Sequence, residues 1–254
     1  MRNTIYSSVR QSVCSARFWL GAVFIALVLF LSSADAVSEA FRSDDPLVYG
    51  YHGDFILTAL DSDALTICLP IVCALPYAAS FVDDVKTGFL KLYIHRTSHR
   101  GYILGKAAGC LISGGAVIVL GLWLAYGAAA ALFSPMEGPL APDTPDPEYA
   151  MTLLRNCGLI FLSGGFWSLF GMTMSAFMAS KYIAYAAPFI FYYMLIILCE
   201  RYFTWLYVVY PKAWLNPGEE WAMGRWGPAL VLLELIAGTV LCFGAAVRKR
   251  VRGL

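Results

Sequence analysis

Charge is what this sequence has least of. Asp, Glu, Lys and Arg make up 14% of the residues, against roughly a quarter in soluble domains, so much of the surface must face something other than water. Period-two alternation between turn signals is also missing, which removes sandwich and barrel folds. Histidine is scarce, with three residues: His52, His95 and His99. The last two have the i, i+4 spacing of a helical metal pair, but no third ligand and no H-E-x-x-H accompanies them. There is no G-x-S-x-G and no G-x-x-x-x-G-K-[ST] phosphate loop. Gly114-Gly115 and Gly164-Gly165 lie in apolar runs with no following Lys-Ser/Thr, and they read as points of close helix packing. The seven cysteines, Cys14, Cys68, Cys73, Cys110, Cys157, Cys199 and Cys242, include no C-x-x-C pair. They read as buried helix residues, not as a disulfide or metal framework.

What is abundant is apolar sequence: 59% hydrophobic residues and a mean hydropathy of +0.66. A bilayer's hydrocarbon core is about 30 Å thick, so a helical span needs about 20 mainly apolar residues. Segments 18–37, 64–81, 102–133, 153–180, 182–210 and 226–247 qualify, which predicts an all-α integral membrane protein with six transmembrane helices. The second segment is the shortest and holds Pro70 and Pro76, which predict a kink. The third is long enough to project beyond the bilayer. So little chain separates the fourth and fifth that they should form a tight hairpin. The first segment has a rival: Arg2, Arg10 and Arg17 before an apolar run ending Ala34-Asp35-Ala36 look like a signal peptide. The run approaches spanning length and its basic lead-in is long, so an uncleaved span is expected.

Orientation follows from the cations. One side of this topology collects Arg2, Arg10, Arg17, Lys86, Lys91, Arg96, Arg100, Lys106, Lys181, Arg248, Lys249, Arg250 and Arg252. The other holds Arg42, Arg155, Arg201, Lys212 and Arg225 and most of the acids. The basic side should be cytoplasmic, with both termini there, and Tyr210, Trp214, Trp221 and Trp226 should sit at the outer headgroup level. Residues 211–225 could form a short interfacial helix.

The largest inner segment carries the most information. Val82, Val85, Phe89 and Leu92 recur at helical spacing, and Asp83 and Asp84 stand at the start, where the helix dipole favours negative charge. Thr97-Ser98 interrupts the pattern before Gly101 and re-entry along Tyr102–Lys106. This reads as a cytoplasmic helix and a polar elbow; an ordinary basic inner loop is the plainer alternative.

The order of elements resembles the permease subunits of type 2 ABC transporters, the type V exporter fold. The basic N-terminal segment, Asp83-Asp84-x-x-x-Gly88, Arg96-Thr-Ser-His-Arg100, Tyr102-Ile-Leu-Gly-Lys106, the inner turn Ser180-Lys181-Tyr182 before Pro188 and the outer Leu215-Asn216-Pro217 carry the likeness. It covers nearly the whole chain through topology. It implies a single permease domain over residues 1–254, with a coupling helix between spans two and three that docks on an ATPase subunit. Asp83, Asp84, Lys86, Gly88, Phe89, Lys91, Arg96 and Arg100 would form that coupling element. It also implies an N-terminal amphipathic helix on the membrane surface. Since this chain has no phosphate loop, ATP and Mg would be bound by a separate ABC ATPase, and no cofactor is expected here. A second permease, identical or related, and the lipid bilayer are the other expected partners; nucleic acid is not. The cargo class suggested by aromatic spans (Trp167, Phe170, Phe177, Phe189, Phe191, Tyr192, Tyr193) is a hydrophobic or amphipathic peptide or lipid-like molecule, although the same rings could simply pack or face lipid.

Other groups admit two roles. Glu234, midway along the last span, should face the protein interior or be protonated, as a structural hydrogen bond or as a functional polar site. Glu200 and Arg201 suit an outer rim pair or vestibule, and Asp61 or Asp63 should cap the second span. Glu219-Glu220 with Arg225 is similar to the E-E-x-x-x-R start of intramembrane prenyl-protein proteases, but the Arg is one residue late and every histidine lies upstream. No catalytic residue or metal ligand is assigned. The competing class is an ion-coupled secondary carrier or a non-transporting membrane scaffold. A coupled carrier should place several ionisable groups near the bilayer midplane, where the sequence offers Glu234.

Overall fold

The computed structural model describes residues 2–43, 45–90, 98–139, 149–203, 205, 207–215, 221, 224 and 226–252. Among these residues the chain forms ten α-helices and no strand. They are α1 (Arg2–Val13), α2 (Ala16–Ser32), α3 (Ala34–Arg42), α4 (Tyr51–Leu60), α5 (Asp63–Ala74), α6 (Ser80–Lys86), α7 (His99–Phe133), α8 (Tyr149–Met178), α9 (Lys181–Arg201) and α10 (Trp226–Arg252). Short 3₁₀ turns occupy Ser134–Met136, Tyr207–Val209 and Pro211–Trp214.

Four helices are long and apolar enough to cross a bilayer: α7 with its following turn, α8, α9 and α10. Two bent pairs raise the number to six if each counts as one span. Thr4–Val13 meets Ala16–Ser32 at 51°, and Tyr51–Leu60 meets Asp63–Ala74 at 70°. The sequence segments are therefore placed but not all continuous. The first breaks at Ser33, where α2 ends and α3 begins. The second is α5, only 12 residues long and about 18 Å by helix rise, and α4 precedes it at a sharp angle. Pro70 is tolerated inside α5, and the helix stops before Pro76, whose ring disfavours helix in the residue ahead of it. The large bend lies at Asp61-Ser62 instead. Ser62, not either flanking Asp, caps α5: its Oγ accepts from the Leu65 N–H at 3.3 Å. The fifth span ends at Arg201, not Tyr210.

At the centre stands α8, against which α5, α7, α9 and α10 all pack. Its contact with α7 is made by backbone. A Cβ added at Gly114 would lie 2.3 Å from the Ser168 Cβ, and one at Gly164 would lie 2.7 Å from the Gly114 carbonyl oxygen. The glycine pairs thus do pack helices closely, as their positions in apolar runs predict. Trp167 and Tyr192, with ring centroids 5.1 Å apart, are fully buried between α8 and α9. Trp214 joins them, stacked 6.2 Å from Trp167 and donating from Nε1 to the Val208 carbonyl at 2.9 Å. Trp214 and Trp221 are buried among other side chains, whereas Trp226 is exposed. Residues 216–220 and 225, which carry Glu219, Glu220 and Arg225, lie outside the described residues.

Candidate functional site

The segment expected to form the inner elbow is built on α6. Its apolar side is anchored: Phe81 is buried, with Phe243 of α10 at 5.4 Å and Tyr102 of α7 at 6.5 Å between centroids, and Val82 is buried beside it. The next two side chains, Asp83 and Asp84, point their carboxylates in different directions. Asp84 Oδ2 accepts from the Tyr102 hydroxyl at 2.7 Å and lies 2.8 Å from Lys106 Nζ. Asp83 forms an ion pair with Lys181, the first residue of α9. Tyr102 and Lys106 are four apart on α7, which puts them on one helix face.

Lys106 is 6% exposed, and a charge so buried requires pairing. Besides Asp84, its ammonium reaches the Ser80 carbonyl at 3.5 Å and sits 4.9 Å from the centre of the Tyr77 ring. The Tyr77 hydroxyl donates to Gln11 Oε1 at 3.3 Å, which brings in α1. Thr4 and Ser8 of α1 press against Gly105 and Gly109 of α7, so α1 lies along the N-terminal third of that helix. A cavity of about 320 Å³ remains between α1, α6 and α7, with Ser7, Gln11 and Thr87 on its wall beside the Asp84–Lys106 pair.

The same end of the bundle gathers further helix ends. Arg250 of α10 donates from Nε to the Ala176 carbonyl at 3.2 Å and from Nη2 to the Phe177 carbonyl at 3.0 Å. Those are end carbonyls of α8, where cations are favoured. The turn from α8 to α9 is tight, as expected, and is made with Ala179 in the left-handed region at φ 53°.

Of the eight residues assigned to coupling, Asp83 and Asp84 come together with Lys181, Lys106 and Tyr102. Lys86 and Phe89 are exposed, and Gly88 between them has φ 73°. That conformation ends α6 at Lys86, so the stripe from Val82 to Phe89 does not run along one helix as expected; helix resumes at Phe89. Arg100 is exposed in the first turn of α7, which Ser98 caps by accepting from the Gly101 N–H at 3.1 Å. Lys91 and Arg96, with Leu92 and His95, lie outside the described residues. The sequence reading missed Lys106 as the buried centre of the cluster, although its spacing from Tyr102 held the clue.

Of the two expectations for Glu234, placement in the bundle interior is not what the structure has. It lies on the outward side of α10 and is exposed, where a charged carboxylate facing hydrocarbon would cost on the order of 3 kcal/mol.

A second polar cluster forms where the start of α4 meets the turn that follows α7. Glu137 accepts from the backbone N–H groups of Gly50 and His52, each at 3.0 Å, and its Oε1 lies 2.7 Å from His52 Nδ1. A carboxylate only accepts, so Nδ1 carries the hydrogen, and Nε2 faces the Tyr126 hydroxyl at 3.4 Å. Burial pushes the Glu137 carboxyl up, but the hydrogen bonds from His52 and Gly50 outweigh it and the net shift is down. Nearby, Lys212 sits 3.2 Å from Asp63 and 3.8 Å from Glu200. The Tyr210 hydroxyl, held up by burial first and by its bond to Glu200 second, donates to Glu200 at 2.8 Å. Glu200 therefore pairs with Lys212 and Tyr210. Among the described residues, no three His, Cys, Asp or Glu side chains converge as a metal site.

The sequence matches no protein-family model and no curated protein.

Proposed function

We propose that this chain is the membrane-spanning permease subunit of an ATP-binding-cassette exporter, in which a separate ATPase drives the inner elbow. One observation carries the reading: α6 is tied through paired acids to two different helices, Asp84 to α7 and Asp83 to α9. A push on α6 is then delivered to the inner ends of both, and such a two-state tilt is what nucleotide-driven closure needs. Because both acids are engaged inside the subunit, the exposed tip of Lys86, Thr87 and Phe89 supplies the docking contact, while Asp83 and Asp84 transmit the movement. In this reading six spans cross the plasma membrane with both termini in the cytoplasm, a second permease completes the path, and ATP and Mg belong to the partner. The cargo is a hydrophobic or amphipathic peptide or a lipid-like molecule.

The test is to replace Lys86 with Glu and Phe89 with Ala together. ATPase co-purification should fall about tenfold, with the unfolding temperature of the permease unchanged. Undiminished co-purification together with undiminished cargo-stimulated hydrolysis would remove the elbow from the mechanism.

The Asp84–Lys106 pair beside a polar cavity favours a second reading, an ion-coupled carrier, since buried ionisable pairs mark proton and ion pathways. Transport by the purified chain in vesicles, driven by an ion gradient without any ATPase, would establish it.

A further inference from the structure

Two helix breaks face one another across a gap. The first is the 51° bend between α1 and α2, and the second is the end of α5 ahead of Pro76. Between them lies a cavity of about 280 Å³, with Gln11, Ser15 and Arg17 on one wall and Pro76, Ser80 and Asp83 on the other. Its charges are of both signs. Arg17 is exposed, and no ion pair or hydrogen bond from its guanidinium is found among the described residues. Asp83 meets Lys181 through Oδ1, which leaves Oδ2 able to accept. The Ser80 hydroxyl is buried and has no partner among the described residues, a state that buried polar groups rarely keep. The Ala16 and Arg17 amides, in the first turn of α2, have no acceptor within their helix. One turn further on, about 5 Å, an exposed apolar stripe begins on the same face of α2: Leu20, Val23, Phe24, Leu27 and Leu31. The cavity therefore stands where a hydrocarbon-suited surface gives way to polar groups. Its volume falls below the roughly 300–1,000 Å³ of sites that enclose a drug-sized ligand, but a headgroup whose chains stay outside needs no more.

We propose that this cavity holds the headgroup of a phosphatidylethanolamine-type lipid. The phosphate sits between the Arg17 guanidinium, whose planar fork matches its oxygens, and the Ser80 hydroxyl. The acyl chains lie along the Leu20–Leu31 stripe. Asp83 decides which headgroup fits. An ammonium brings it a positive charge and N–H donors; choline carries the charge without a donor, and a glycerol headgroup has no positive charge. This rests on α2 being a membrane span and not on the ATPase.

The experiment places the full chain in nanodiscs made of equal parts phosphatidylethanolamine, phosphatidylcholine and phosphatidylglycerol with matched acyl chains. Native mass spectrometry then counts the lipid that the released chain retains. One phosphatidylethanolamine should be kept about tenfold over either competitor. Arg17→Gln should abolish that retention, whereas Arg10→Gln, an exposed cation outside the cavity wall, should leave it intact. Asp83→Asn should bring phosphatidylethanolamine down to the phosphatidylcholine level. Thermal unfolding checks that each variant folds, and added phosphatidylethanolamine should raise the unfolding temperature of the parent but not of Arg17→Gln. Equal retention of the three lipids, preference for phosphatidylglycerol, or an excess that survives Arg17→Gln overturns the proposal. Extraction of the chain from membranes by alkaline carbonate would reject the spanning reading and this site with it. A chain that stays in the bilayer without the excess rejects the site alone.

Discussion

Removing the Asp84 carboxylate would leave the Lys106 ammonium buried without a carboxylate, beside the Ser80 carbonyl and the Tyr77 and Tyr102 rings. Breaking such a pair from one side costs about 3–5 kcal/mol. Asp84→Ala should therefore lower the unfolding temperature sharply, and the double variant Asp84→Leu, Lys106→Met should recover much of the loss. Asp83→Ala, whose pair with Lys181 is nearly half exposed on both sides, should change stability by about 1 kcal/mol or less. Its effect, if any, would be on coupling. In the Glu137–His52 cluster, the lowered Glu137 carboxyl stabilises the fold above the ordinary value of 4.5. That contribution is lost as the pH falls through the lower native value. Glu137→Gln should reduce stability near neutral pH by about 2 kcal/mol and flatten the loss seen in the parent protein on acidification below that range. Both effects can be read from thermal unfolding followed at a series of pH values.

At the scale of elements, the decisive contact is α7 against α8, where backbone meets backbone at Gly114 and Gly164. Gly114→Val or Gly164→Val must force the helices apart and should abolish monodisperse protein in detergent. The same change at Gly127 or Gly158, where a Cβ meets no atom within 4 Å, should be tolerated. Ala179, in the left-handed region at φ 53°, offers the opposite case. Ala179→Gly removes a strain of about 1 kcal/mol and should raise the unfolding temperature by a few degrees. The glycine pairs and the tight α8–α9 turn were legible in the sequence, because small residues in apolar runs and the near-absence of chain between segments 153–180 and 182–210 leave few alternatives. The break between α4 and α5 was not. Hydropathy averages over a window, and it does not register a 70° bend made by Asp61-Ser62 within an otherwise apolar stretch. Nor did it separate the buried Trp214 from the exposed Trp226, because aromatic rings at a span's end look alike until neighbours close over one of them.

For the molecule as a whole, the proposed orientation gives a direct measurement. A membrane-impermeant thiol reagent applied to intact cells should label Val48→Cys in the loop before α4, and should reach native Cys14 only after permeabilisation. The reverse pattern would invert the topology and place the elbow outside. The amino-acid sequence by itself determined that the chain is helical and apolar, where its longest helices lie, and which end of each carries cations. Those properties are sums over neighbouring residues, and they hold whatever the helices touch. Only the tertiary structure decided that Lys106 pairs with Asp84, that Asp83 reaches Lys181, that Ser62 caps α5, and that Glu234 turns away from its own bundle. Each of these depends on the direction in which a helix face is turned, and packing against helices distant in the sequence sets that direction.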